Sequence, residues 1–78
     1  MNPFANKVVA ITGASSGLGA ELAKQLTKHK AKLSLCGRNS QKLQEVATAC
    51  GANSCYTIAD LRDPHQCEKF IANTIMSY

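Results

Sequence analysis

The chain has 78 residues, 45% of them hydrophobic and 18% charged. This globular composition excludes intrinsic disorder and leaves room for one domain at most. The longest purely apolar run, Val8-Val9-Ala10-Ile11, is far short of the ~20 residues that cross a bilayer. Nine basic against five acidic residues give a net charge of +4. Lys24, Lys28, Lys30 and Lys32 lie close together, but charge runs usually face water. No stacking aromatics accompany these lysines, so no nucleic-acid partner is expected.

Taken in chain order, residues 7–12 are short, β-branched and apolar on both sides, as in a buried parallel strand. Residues 13–19 form a turn rich in glycine and serine. From residue 17 to about 29, Leu18, Leu22, Ala23 and Leu26 fall at helical spacing. Lys28, His29 and Lys30 suit the negative end of that helix. Residues 32–36 read as a second strand, and Gly37-Arg38-Asn39-Ser40 as a turn that ends in helix N-caps. Leu43, Val46, Ala47 and Cys50 give the second helix its apolar stripe, and Gly51 follows where a positive φ is needed. Residues 54–59 form a third strand in which Tyr56 and Ile58 alternate with smaller residues. Asp63 as N-cap, Pro64 at N1 and Gln66 at N3 predict a capping box. The third helix then carries Cys67, Phe70, Ile71, Thr74, Ile75 and Tyr78 on one stripe.

The order β-α-β-α-β-α with short connections implies an α/β fold built on a parallel three-stranded sheet. It is the first part of a doubly wound, Rossmann-type sheet, whose fourth strand would pair beside the first. Residues 1–78 therefore read as the N-terminal part of a single domain of this Rossmann type, with strand 1 an open edge. Cys36, Cys50, Cys55 and Cys67 show neither a C-x-x-C pair nor zinc-ligand spacing to His29 or His65. No metal is expected. Without a secretory h-region, they read as reduced thiols in a cytoplasmic protein.

The chemistry concentrates at Thr12-Gly13-Ala14-Ser15-Ser16-Gly17-Leu18-Gly19, a turn between a strand and a helix. One glycine allows the tight reversal, the next lets the backbone approach a pyrophosphate, and the last lets helix and sheet pack closely. The first N–H groups of the helix favour anionic phosphates, and Ser15 and Ser16 add hydroxyl donors. A P-loop is excluded, because Leu18 stands where its second glycine would be and no lysine follows.

This glycine pattern resembles the cofactor fingerprint T-G-x-x-x-G-x-G of the short-chain dehydrogenase/reductase family, and the likeness runs along the whole chain. The resemblance implies that Gly13, Ser15, Ser16, Gly17, Leu18 and Gly19 wrap the pyrophosphate of a nicotinamide dinucleotide, with Thr12 bracing the turn. It implies that Asp60 accepts a hydrogen bond from the adenine amino group and that the Leu61 N–H meets the ring. For Asp60, an Asx-turn is the competing reading. The residues after strand 2, Cys36-Gly37-Arg38-Asn39, contain no carboxylate to select NAD. Gly37 leaves room for a 2′-phosphate, Arg38 can meet it with a charge-assisted contact, and Asn39 and Ser40 can add bonds. NADP(H) is therefore expected rather than NAD(H), although Ser16 stands where some relatives carry a second basic residue.

The family interconverts a carbonyl and an alcohol by hydride transfer, using a tyrosine, a lysine four residues later and a serine. No Tyr-x-x-x-Lys pair occurs here: Tyr56 is followed four residues later by Asp60, and Tyr78 is last. No catalytic residue is expected within these residues, which alone should be inactive. The family also implies homo-oligomers. The alternative is a dinucleotide-binding or partner-binding module without catalysis.

Overall fold

A computed structural model describes residues 3–78. The elements run β1 (Val8–Ile11), α1 (Gly17–Lys28), β2 (Lys32–Gly37), α2 (Ser40–Cys50), β3 (Ser54–Ile58) and α3 (Pro64–Ser77). The strands form one sheet in the order β1-β2-β3, and both pairings are parallel, with Ile11 beside Leu35 and Leu35 beside Tyr56. The α/β expectation holds, with strand ends that differ by one residue.

Successive side chains of a strand point to opposite faces, and β2 shows what each face receives. Leu33 and Leu35, both fully buried, join Val9, Ile11, Ala20, Ala23, Leu26, Leu43, Val46, Ala47 and Cys50 in one apolar cluster. Helices α1 and α2 therefore share that face. Ser34 and Cys36 point the other way, toward α3. There Cys36 packs with Ala59, Phe70 and Leu61, and the Ser34 and Thr74 hydroxyls lie 2.6 Å apart. Asn73 Nδ2 donates to Thr57 Oγ1 at 3.1 Å. The Tyr78 hydroxyl donates to the carbonyls of Leu33 and Asn53 at 2.6 and 3.1 Å. One face is thus held by apolar burial and the other largely by hydrogen bonds.

Three sequence expectations need correction. β1 is not buried on both sides: Ile11 is buried, whereas Val8 is 47% exposed, because β1 is an edge strand and α3 does not cover its outer face. In α1, Ala20, Ala23 and Leu26 face the sheet, and Leu18 and Leu22 point to solvent. Small residues allow the close helix–sheet approach that Leu18 would block. In α3, Phe70 is buried with Cys67 and Thr74 half-buried beside it, whereas Ile71 and Ile75 are exposed. Tyr56 and Ile58 are also exposed, and Thr57 and Ala59 are the buried residues there, because β3 is the other edge. The lysines of α1 and its following turn lie at the surface as expected.

Candidate functional site

The carboxyl ends of the three strands are stitched together by backbone hydrogen bonds. Ala14 N–H donates to Cys36 O at 2.9 Å, and Ala59 N–H donates to Gly37 O at 3.0 Å. This fixes the glycine turn beside the end of β2, and the end of β2 beside the end of β3. The three segments enclose an open cleft of about 660 Å³, within the size range of small-molecule sites. Its lining comes from Thr12, Gly13, Ser15 and Ser16, from Cys36 to Asn39, and from Ala59 to Arg62. Ligands of parallel α/β sheets bind at this end of the strands.

Glycine is required at two levels in the turn. Gly13 and Gly17 have φ of +62° and +61°, and a Cβ on either would meet nothing within 4 Å. Conformation demands glycine there, and the space beside the backbone is open. Gly19 is different, because a Cβ would lie 2.4 Å from Gly13 O. Gly19 therefore sets how closely α1 approaches the turn. Gly37 plays the matching part across the cleft, where a Cβ would lie 3.1 Å from both Cβ and Oγ of Ser15.

The helix N-termini also differ. Asn39 Oδ1 caps α2 by accepting from Lys42 N–H at 3.0 Å, and Asp63 Oδ1 caps α3 by accepting from His65 N–H at 3.0 Å. In α1, Ser16 makes no side-chain cap and the first turn holds no acidic residue. The first N–H groups of a helix and its dipole are complementary to an anion, and at α1 neither the N-cap nor the first turn supplies one. An uncapped helix start, open space at Gly13 and Gly17 and a cleft of this size fit the phosphates of a dinucleotide.

At the far wall, Asp60 is held from several sides. Its N–H donates to Gln66 Oε1 at 2.6 Å, and its carbonyl accepts from Asp63 N–H at 3.0 Å. The expected capping box therefore takes another form. The Asp63 N–H is already used by Asp60, so Gln66 reaches past it to the Asp60 N–H and donates Nε2 to Asp63 Oδ2 at 3.3 Å. Arg62 closes on the Asp60 carboxylate through its side chain and backbone, with Nη2 2.7 Å from Oδ2. These bonds from Arg62, aided by the charge of Arg38, hold the Asp60 carboxyl well below the usual carboxylate range. The Asx-turn reading of Asp60 is thus realised in the Arg62 N–H to Oδ1 bond.

Of the residues singled out in the sequence, Gly13, Ser15, Ser16, Arg38, Asn39, Asp60 and Leu61 line one cleft. Gly17, Leu18 and Gly19 lie outside its lining, at the start of α1, and Leu18 is 85% exposed. Asn39 combines its place in the cleft with the capping of α2. Arg62 went unnoticed in the sequence. The only signal was a cation two residues after an aspartate, which is common in turns and says nothing of a fork.

The model of the family described as short chain dehydrogenase matches residues 7–78. An 11-beta-hydroxysteroid dehydrogenase of Pinus massoniana is 41% identical over 76 residues, which is 92% of this chain and 21% of that protein. Among solved structures, a 3-ketoacyl-(acyl-carrier-protein) reductase of Brucella melitensis complexed with NADH superposes with a TM-score of 0.91 at 27% identity. It matches 94% of this chain and 30% of its own. A Burkholderia phymatum short chain dehydrogenase/reductase in complex with NAD gives a TM-score of 0.91 at 25% identity, over 97% of this chain and 28% of its own. The chain thus spans about a fifth of the length of the curated relative. Among the described residues, no helix is long and apolar enough to cross a membrane.

Proposed function

This chain belongs to the short-chain dehydrogenase/reductase family of oxidoreductases, and from that membership we propose that it forms the NADP(H)-binding portion of an enzyme that interconverts a carbonyl and an alcohol. The carrying observation is the single cleft that brings the glycine turn up to Ser16, the N-terminal flank of the uncapped α1, together with the carboxylate-free end of β2 and Asp60. Gly13, Ser15, Ser16, Gly17, Leu18 and Gly19 would receive the pyrophosphate, through backbone N–H groups and hydroxyls. Arg38 and Asn39 would receive a 2′-phosphate, with Gly37 leaving room for it. Asp60 and the Leu61 N–H would receive the adenine. The bound dinucleotide supplies the hydride or accepts it. These residues bind and orient it, and the tyrosine, lysine and serine that hold the substrate and move the proton would belong to sequence outside the matched portion.

Support for NADP(H) over NAD(H) is chemical. A carboxylate at the end of β2 would bond a ribose 2′-hydroxyl and repel a 2′-phosphate, and the residues there are Gly37, Arg38 and Asn39. Arg38→Asp should cost NADP(H) affinity at least about tenfold more than NAD(H) affinity, since charge-assisted contacts contribute roughly 1.5–3 kcal/mol. Titration of both cofactors against both proteins, by fluorescence or calorimetry, measures this. An equal loss for the two cofactors would remove Arg38 from the 2′-phosphate site.

A further inference from the structure

We propose that Arg62 is a latch on the base end of the cleft, holding the Asp60 carboxylate that an arriving adenine amino group would need and releasing it as the base is seated. The inference rests on the dinucleotide reading above and adds to it a residue that competes with the ligand.

The argument begins with the acceptor capacity of the carboxylate. An ionised carboxylate has about four lone-pair positions. Oδ1 accepts from the Arg62 backbone N–H and from Nε–H, both at 3.0 Å. Oδ2 accepts from Nη2–H at 2.7 Å and shares Nε–H at 3.2 Å. Three N–H groups, with Nε–H shared between the two oxygens, therefore already occupy most of that capacity. The guanidinium fork engages both oxygens, so a further donor competes with it for the carboxylate.

The backbone contact is the one that stays. Asp60 is tied by its N–H to Gln66 and by its carbonyl to Asp63, at 2.6 and 3.0 Å, which fixes the backbone turn that brings the Arg62 N–H to Oδ1. The guanidinium is the movable partner. The Arg62 side chain is 79% exposed against 32% for Asp60, so it has little packing to lose on moving into water. Arg62 also lines the same cleft as Asp60 and Leu61, which puts the fork at the mouth that the base would enter. Part of the adenine's binding free energy is then used to open the latch, and the apparent affinity falls by the fraction of chains that are closed.

The magnitude follows from the exposure of the pair. An exposed ion pair is weak, and its loss shifts an equilibrium constant by only ~1.5- to 5-fold. Removal of the guanidinium should tighten binding of adenine by that factor.

Adenosine and inosine are the probes, because neither carries a phosphate that Arg62 could attract electrostatically. Inosine lacks the amino donor and presents a carbonyl oxygen instead. Binding of each to the full chain and to Arg62→Ala and Arg62→Gln is followed by NMR titration. The expected result is ~1.5- to 5-fold tighter adenosine binding by both variants, with little change for inosine. The difference from the parent chain should narrow from ~0.1 to ~1 M salt, as the Debye length shortens from about 10 to 3 Å. The Arg62 Nε–H signal of the parent chain should move toward its solvent-exposed position as adenosine saturates. Unchanged or weaker adenosine binding by the variants, or a static Nε–H signal at saturation, would overturn the latch and leave the dinucleotide reading intact. No saturable adenosine binding by any of the three proteins would overturn that reading, and the latch with it.

Discussion

Replacing Gly19 by alanine sets two rules against each other. Helix propensity alone favours the change, because glycine inside a helix is ~1 kcal/mol worse than alanine. The geometry opposes it. The added Cβ would sit 2.4 Å from Gly13 O, 3.0 Å from Gly13 C and 3.3 Å from Ala14 Cα. Ordinary contact begins near 3.4 Å, so the carbonyl oxygen has to retreat by about 1 Å. All the crowded atoms belong to the backbone, so no side chain can rotate out of the way. Overpacking of this kind costs roughly 1–3 kcal/mol. After the propensity gain is subtracted, a net loss of up to about 2 kcal/mol remains. With a urea slope of ~1–2 kcal/mol/M for a small domain, the midpoint should fall by about 1 M. Displacement of Gly13 also moves the turn that lines the cleft, so dinucleotide affinity should fall together with stability. Urea melts by circular dichroism and a cofactor titration read the two effects. An unchanged or raised midpoint with full affinity would refute the argument that close helix–turn approach requires glycine here.

Other outcomes follow from the same contacts. Gly37→Ala places a Cβ 3.1 Å from the Ser15 side chain, which can yield by a few tenths of an ångström. Dinucleotide affinity should fall several-fold while the urea midpoint moves little, and a shift as large as that of Gly19→Ala would contradict this. Thr74→Val removes the partner of the fully buried Ser34 hydroxyl. It should lower stability by about 1–3 kcal/mol, and the further change Ser34→Ala should recover part of that loss. The Tyr78 hydroxyl, whose ionisation is pushed up to about 12 chiefly by burial, must stay protonated to donate to Leu33 O and Asn53 O. Its folded value lies above the unfolded 10.0, so its contribution is complete below pH ~10 and is lost as pH rises toward 12. Tyr78→Phe should remove that alkaline decline in a pH series of urea melts, and an identical decline in both proteins would rule it out.

Much of the fold was legible in the sequence because local rules act over a few residues. The 3.6-residue spacing of Leu43, Val46, Ala47 and Cys50 names the buried face of α2, and all four are buried. Gly51 ends that helix with φ +86°, as the need for a left-handed residue predicts. The glycine spacing marked the turn, and Arg38 and Asp60 could be placed at strand ends by counting alone. The same reasoning misjudged α1 and α3. An apolar stripe says that a face exists, but not how wide its covering is. Leu22, Ile71 and Ile75 match the helical period, yet they are exposed, since the sheet has only three strands and ends at β1 and β3.

Tertiary structure decided what lies far apart in sequence. The contact between Gly37 and Ser15 spans two elements, and only the pairing of β1 with β2 brings it about. The clash that makes Gly19 obligatory depends on where Gly13 O points, which spacing cannot show. The Gln66 bond to Asp60 replaces the local capping box because the Asp63 N–H is already taken, and such competition is settled by geometry. The Arg62 fork on Asp60 is the plainest case. The two residues are neighbours in sequence, but whether their side chains meet depends on a turn held by Gln66 and Asp63. Residue type and spacing set the elements and their chemistry, and packing and the allocation of hydrogen-bond donors and acceptors set which groups are free to act.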